Sequence, residues 1–234
     1  MAASDMHGAK PPLPFANRDA AGRYLGGLLT RFAHRGDVLV LGLPRGGVVV
    51  AGAVARVLQV PLDICLVRKL GVPGREELAM GAIATGGIVV WNHDVIASLD
   101  LPQAAFTESL ARARAELERR ESAYRMGREP YEVRGRTIVL VDDGLATGAS
   151  MRAAARAISS REPDWLIIAV PVGSAATCGD LSAEADEIEC AVSPEPFAAV
   201  GYWYEDFAQT SDEEVQQILQ LAWHDAGQAP VSQL

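Results

Sequence analysis

Apolar residues follow two periods along the chain. Residues 38–43 (VLVLGL), 62–67, 137–141 and 165–170 are strand-length runs that are apolar almost throughout. Between them the period becomes helical. Tyr24, Leu25, Leu28, Leu29 and Phe32 recur three and four apart after Asn17, a residue suited to cap a helix reaching about Ala33. An Ala/Val-rich helix is predicted from the 46–47 glycine pair to about Leu58. A charged helix follows over 103–126, with Glu116 four residues before Arg120, and another helix over 148–159. Residues 187–192 predict a last strand. Ser211 opens a C-terminal helix, with Glu214 in capping-box position. Residues 83–91 predict a hairpin or strand pair around Gly86 and Gly87. Residues 68–81 read as a long polar, Gly-rich loop.

Apolar runs that alternate with helices imply a parallel sheet covered on both faces. The fold class is therefore α/β, a doubly wound, mostly parallel sheet. Ligands of such sheets sit beyond the carboxyl ends of the strands, at the switch point, so the informative residues should directly follow strands. There are no internal repeats and no low-complexity core. Residues 1–16, small, polar and Pro-rich, read as a loose tail.

The 234 residues suit one domain, or one domain with an attached lid. A hydrophobic content of 49% provides a core and excludes wholesale disorder. The formal charge of −9 repels phosphates at long range, which argues against a general nucleic-acid or anionic-membrane binder. An anionic substrate must then be held by local donors or through a metal. Of the 21 basic residues only Lys10 and Lys69 are lysines, which singles out Lys69. Cys65, Cys178 and Cys190 are widely spaced with no C-x-x-C and suggest a reducing compartment. No apolar stretch reaches the ~18 residues of a membrane span. Residues 1–15 do not resemble a secretory leader, so the expectation is a cytoplasmic protein.

Residues 138–151, IVLVDDGLATGASM, concentrate the chemistry. An apolar strand delivers Asp142 and Asp143 to its end, and a turn of small residues then opens a helix. Small residues let backbone N–H groups converge on an anion, and the helix N-terminus adds a positive dipole end. Thr147 and Ser150 add hydroxyls. The two acids suit ribose hydroxyls, a developing positive charge or the waters of Mg²⁺. The Walker A ending and the G-x-G-x-x-G fingerprint are both absent.

This segment closely resembles the 5-phosphoribosyl-1-pyrophosphate (PRPP) signature of type I phosphoribosyltransferases. The resemblance implies a core domain over 17–193, with a hood segment and C-terminal helix over 194–234. It implies that Gly144, Ala146, Thr147, Gly148, Ala149 and Ser150 bind the 5-phosphate. Asp142 and Asp143 would hold the ribose hydroxyls and Mg²⁺, in part through water, and steady an oxocarbenium-like transition state with inversion at the anomeric carbon. Arg45, Gly46 and Gly47 stand where the family binds pyrophosphate, after a cis peptide most simply placed at Pro44–Arg45. Arg68 and Lys69 match the basic pair at the start of a mobile loop that closes over PRPP, a loop that here also carries Arg75, Glu76 and Glu77. No general base is evident.

Residues 194–207, PEPFAAVGYWYEDF, are the most aromatic stretch and match the variable hood that covers the acceptor. Tyr202 or Trp203 would stack on it, with Glu205 or Asp206 as polar reader. The 6-oxopurine enzymes have an acid where this chain has Ala146, and a lysine in the stretch that here reads Pro171-Val172-Gly173. The motifs LGLPRGGVVVA, LVRKLGVPG and VDDGLATGAS are closer to a bacterial group of phosphoribosyltransferase-like proteins. Partners implied are PRPP and a small acceptor, most simply a nucleobase, in nucleotide metabolism or nucleoside salvage, with a homodimer as the usual assembly. Two alternatives stay open: a non-catalytic PRPP or nucleotide-binding regulator, and a ribosyl hydrolase or phosphorylase using the same site. His7, His34, His93 and His224 lack metal-ligand spacing, and Ser174 lacks a nucleophile elbow.

Overall fold

In the computed structural model the described residues are 11–72, 75–97 and 103–228. The chain runs α1 (Arg18–Leu28), β1 (Val38–Gly42), α2 (Gly46–Leu58), β2 (Leu62–Ile64), β3 (Val67–Val72), β4 (Arg75–Ala84), β5 (Ile88–Trp91), α3 (His93–Ala97), α4 (Gln103–Arg125), β6 (Thr137–Val141), α5 (Ala149–Ser159), β7 (Trp165–Val170), α6 (Ala175–Asp180), β8 (Glu187–Cys190) and α7 (Asp212–Gln228). Asn17 caps α1 by accepting from the Ala20 N–H at 2.9 Å. Ser211 caps α7 by accepting from the Glu214 N–H at 3.1 Å. On α4, Glu116 accepts from Arg119 and Arg120, an exposed helical pair pattern.

Strands β1 and β6 are buried at every position, and β7 from Leu166 onward. Alternate strand residues point to opposite faces, so a strand apolar at every position needs cover on both. Val38, Val40, Val139, Val141, Ile167 and Ala169 join one core cluster with residues of α1, α2 and α7. Leu39, Leu41, Ile138, Leu140, Ile168 and Val170 join the other with residues of α5. The sheet order is β2-β1-β6-β7-β8, and every pairing is parallel. From β1 the chain moves outward to β2, then returns to the far side of β1 for β6. The switch point therefore lies between β1 and β6, whose ends carry the glycine pair and the two acids.

Two expectations are corrected. Residues 68–72 and 75–81 are strand, not loop: β3, β4 and β5 form a separate antiparallel sheet, with Arg68 opposite Ile83 and Lys69 opposite Ala82. Leu70 and Val72 are buried while Arg68 and Lys69 face out, and an apolar partner strand, not the composition of β3, settles this pairing. The run 62–67 accordingly divides, with β2 ending at Ile64 and Val67 opening the second sheet. Gly86 and Gly87, at φ 84° and 75°, make the β4–β5 turn. The second correction is at the N-terminus. Phe15, expected in a loose tail, is fully buried. Its N–H donates to Trp203 O, and its carbonyl accepts from the Glu205 N–H, each at 2.8 Å. The rest of the expected tail, residues 1–10, lies outside the described residues. Among the described residues no helix is long and apolar enough to cross a membrane.

Candidate functional site

Strand β6 ends at Val141, and the next two side chains are the acids. The Asp143 N–H donates to Asp142 Oδ1 at 2.8 Å. Burial first, and the charge of Asp143 second, push the Asp142 carboxyl well above the usual carboxylate range, against the pull of the Asp143 N–H and of Arg18. The N-terminus of α2 presses on both acids. A Cβ on Gly46 would overlap Asp143 Oδ2, and one on Gly47 would stand 2.7 Å from Asp142 Oδ1, so glycine is the residue that fits here. Arg45 precedes them after a cis Pro44–Arg45 peptide. Its guanidinium lies 3.8 Å from Asp212 at the start of α7.

The turn from β6 into α5 is tied down from behind. Leu145 donates to Val172 O at 2.9 Å and accepts from the Ser174 N–H at 3.1 Å. The Thr177 hydroxyl donates to Ala146 O at 2.7 Å. Gly148 caps α5 at φ 67°, and a Cβ there would meet the Thr177 methyl at 2.7 Å. In front, Ala146, Thr147, Ala149 and Ser150 are exposed. The first N–H groups of α5 have no intrahelical partner. A helix terminus of this kind favours a negative charge, and this one follows the two carboxylates along the chain.

The hood is held by residues that sequence reasoning did not single out. The buried Tyr204 hydroxyl donates to Asp143 O at 2.6 Å, and burial raises its pKa above the ordinary tyrosine value. Arg18 donates from Nε to Asp143 Oδ2 at 2.7 Å and from NH1 to Ala208 O at 2.7 Å. Its guanidinium carbon lies 3.8 Å over the Phe207 ring. Tyr204 stood within the aromatic run, but spacing does not say which aromatic turns inward. Nothing in the sequence links residue 18 to residue 143.

Of the acceptor candidates, Tyr202 is 76% exposed and Glu205 is exposed. Trp203 packs into the cluster of Phe15, Val172 and Tyr204. Its Nε1 is buried without a protein acceptor. Arg68 and Lys69 sit exposed on β3, with Arg68 4.0 Å from Glu116. Among the described residues neither is in hydrogen-bond or ion-pair contact with the aspartates. The side chains of Arg75, Glu76 and Glu77 lie outside the described residues.

A family model described as "Phosphoribosyl transferase domain" matches residues 16–205. A Mycobacterium tuberculosis protein named "Putative phosphoribosyl transferase Rv0571c" is 43% identical over 215 residues, 92% of this chain and 48% of that protein. A second sequence from that species matches to the same extent. The chain thus spans about half the length of the curated relatives it matches. The crystal structure of TT1426 from Thermus thermophilus is 43% identical with a TM-score of 0.78, covering 88% of this chain and 97% of that one.

Proposed function

Because this chain belongs to the phosphoribosyl transferase domain family, we propose that it moves 5-phosphoribose from PRPP to a nitrogenous acceptor and releases pyrophosphate. One observation carries this reading. Two carboxylates end one strand, packed on the glycines of a second helix start, and the chain runs from them directly into an exposed helix N-terminus.

In this reading Gly144 and the N–H groups and hydroxyls of residues 146–150 hold the 5-phosphate. Asp142 and Asp143 hold the ribose hydroxyls and stabilise positive charge growing on the ring, which fixed carboxylates do without reorganising. Arg45 forks onto pyrophosphate oxygens while Gly46 and Gly47 let the backbone approach. Arg68 and Lys69, carried on the β3–β4 sheet, come in over the leaving group and exclude water from a cation that water would capture.

The donor set fits Mg²⁺ that arrives with its substrate. The site offers two carboxylates, and no group of three or more His, Cys, Asp or Glu with metal-site geometry occurs among the described residues. Mg²⁺ keeps several waters and takes substrate phosphates as ligands, so a two-carboxylate site suffices. When bound, the ion neutralises pyrophosphate charge.

The acceptor reads as something other than a 6-oxopurine. Ala146 offers no acid, and the space at Gly173 is filled by Cys178, Cys190 and Leu145. Tyr202 is the exposed ring available for stacking.

The test is pyrophosphate release from PRPP and Mg²⁺ across a panel of bases. Release with at least one base, lost in Asp142→Asn/Asp143→Asn, is the expected result. Turnover that survives that double substitution overturns the assignment. PRPP binding with no release across the panel identifies a sensor instead. Consumption of a ribose donor other than PRPP identifies a hydrolase or phosphorylase.

A further inference from the structure

Two thiols meet behind the phosphate-binding turn. Cys178 on α6 and Cys190 at the end of β8 have Sγ atoms 2.6 Å apart, and both are free. They fill the space a side chain at Gly173 would need. A Cβ there would stand 2.8 Å from Cys178 Sγ, 3.1 Å from Cys190 Sγ and 3.1 Å from Leu145 Cβ. Leu145 is part of the turn. Thr177, next to Cys178, holds the Ala146 carbonyl and packs beneath Gly148. The pair therefore sits one layer behind the turn, near Leu145 and, through Thr177, behind Ala146 and Gly148 of the proposed 5-phosphate site.

The two sulfurs differ in character. Hydrogen bonding to Cys190 draws the Cys178 thiol down to about 7, against the effect of burial. The Cys190 thiol is pushed up, first by that same hydrogen bond and then by burial. The shared hydrogen bond thus favours the thiolate at Cys178 and the protonated thiol at Cys190. Cys178 is 9% exposed, and Cys190 is half-buried with Sγ 3.3 Å from the hydroxyl of exposed Ser193. Cys65 is the contrast: burial pushes its thiol up to about 12.

We propose that Cys178 and Cys190 are a reversible oxidation site, closed to a disulfide by hydroperoxides, that ties α6 to β8 and tightens the phosphate-binding turn. In the first step the Cys178 thiolate attacks a peroxide oxygen. An S–O bond forms, the O–O bond breaks, and the departing oxygen takes a proton to leave as alcohol or water. In the second step the Cys190 sulfur attacks the Cys178 sulfur. The S–S bond forms, the S–O bond breaks, and the sulfenic oxygen leaves as water with the Cys190 proton. The pair loses two electrons to the peroxide, and a thiol reductant reverses the change. The covalent tie holds Thr177 against Ala146, and a pre-organised turn binds its anion more tightly. This effect on binding rests on the proposed 5-phosphate site, whereas disulfide formation does not.

The test treats the full chain with excess hydrogen peroxide and then counts thiols after denaturation. The expected count falls from three to one, with a Cys178–Cys190 linked peptide in the digest. A count that stays at three, or a linkage through Cys65, overturns the site. In Cys190→Ser the first step has no resolving thiol, so a 1,3-dione reagent should label Cys178. No label there overturns the assigned order of attack. Ribose 5-phosphate, titrated into the reduced and oxidised forms, should bind about fivefold more tightly to the oxidised one. The difference should vanish in Cys178→Ser. Equal affinities in an oxidised chain that binds ribose 5-phosphate overturn the coupling to the turn. A thiol count of one in a chain that binds no ribose 5-phosphate overturns the phosphate reading and leaves the oxidation site standing.

Discussion

Asp63 and Asp142 are both acids drawn into the parallel sheet, and they are treated in opposite ways. Asp63, on β2, accepts from Arg125 with both oxygens at 2.7 Å, and from the N–H groups of Ile64 and Tyr131. The side chains of this pair are 3% and 7% exposed. Every bond Asp63 makes comes from within the fold. Asp142, at the end of β6, receives one N–H, from Asp143, and its neighbour in charge is another carboxylate. The cation that acts on it, Arg18, is bonded to Asp143. A buried charge with its partners in place is part of the framework, whereas one left short of partners raises the free energy of the folded state. Such a group persists where a ligand supplies what the protein withholds.

Removing the charges at each place should separate the two roles. Asp142→Asn with Asp143→Asn should lower PRPP turnover on the order of 10³-fold or more, while Asp142→Asn alone, which leaves the Arg18–Asp143 pair in place, should hold or raise the unfolding midpoint at neutral pH. A large fall in midpoint would mean that Asp142 is framework as well. The pH dependence sharpens the same point. Burial and Asp143 lift the Asp142 carboxyl above its unfolded-chain value, so the folded chain takes up that proton more readily. The stability it brings is complete below the unfolded value, about 4, and is lost as pH rises through the folded one. Urea midpoints of the natural chain, measured relative to the Asn variant, should therefore fall from the acid side upward. A difference that does not change with pH would contradict the strained state assigned to Asp142.

The counterpart is Arg125→Ala, which leaves Asp63 charged and buried. It should cost about 3–5 kcal/mol in denaturant unfolding. Ribose 5-phosphate binding by the folded fraction should be unchanged, because the bonds of Arg125 go to β2 and not to the 144–150 turn. Weaker binding at full folding would join the two regions that this comparison holds apart. Gly46→Ala tests the contact between the helix start and the acids. A methyl there overlaps Asp143 Oδ2 and comes within 2.6 Å of Arg18 Nε. Displacing that carboxylate should reduce kcat/KM by about 10²-fold. Unchanged kinetics would mean that the acids move freely and are not held by the fold.

How far each region could be read from sequence follows from what kind of signal it leaves. β1, β6 and β7 are apolar throughout because both faces are covered, so the sheet and its ends were legible. Asp142, Asp143 and the 144–150 turn follow one strand without interruption, and so did their grouping. The second sheet was hidden because Arg68 and Lys69 make β3 look like loop. The pairing that fixes it lies in Gly81, Ala82 and Ile83, more than ten residues from their partners. Phe15 and Arg18 were misread or missed for the same reason. Their partners, Tyr204, Asp143 and Phe207, are over a hundred residues distant, and no local period records such contacts. The Asp63–Arg125 pair, 62 residues apart, is also beyond the reach of any local period.

Tyr204→Phe gives the smallest change and the finest reading of the comparison. The Tyr204 hydroxyl is the tie from the hood to the backbone of Asp143, at 2.6 Å. Its ring remains packed between Phe15 and Phe207 whether or not the hydroxyl is there. The substitution thus removes one hydrogen bond and little packing, for about 1 kcal/mol of stability. If the acids are held at strain by the framework around them, loosening the Asp143 carbonyl lets that residue relax away from Asp142. The raised pKa of Asp142 has the Asp143 charge as its second cause, so relaxation should move it back toward the ordinary carboxylate range. The acid-side excess of stability should shrink with it. Urea titrations of the Phe variant across that pH range read both effects together. A loss of about 1 kcal/mol with the pH dependence intact would show that the hood steadies the fold but does not hold the two carboxylates together.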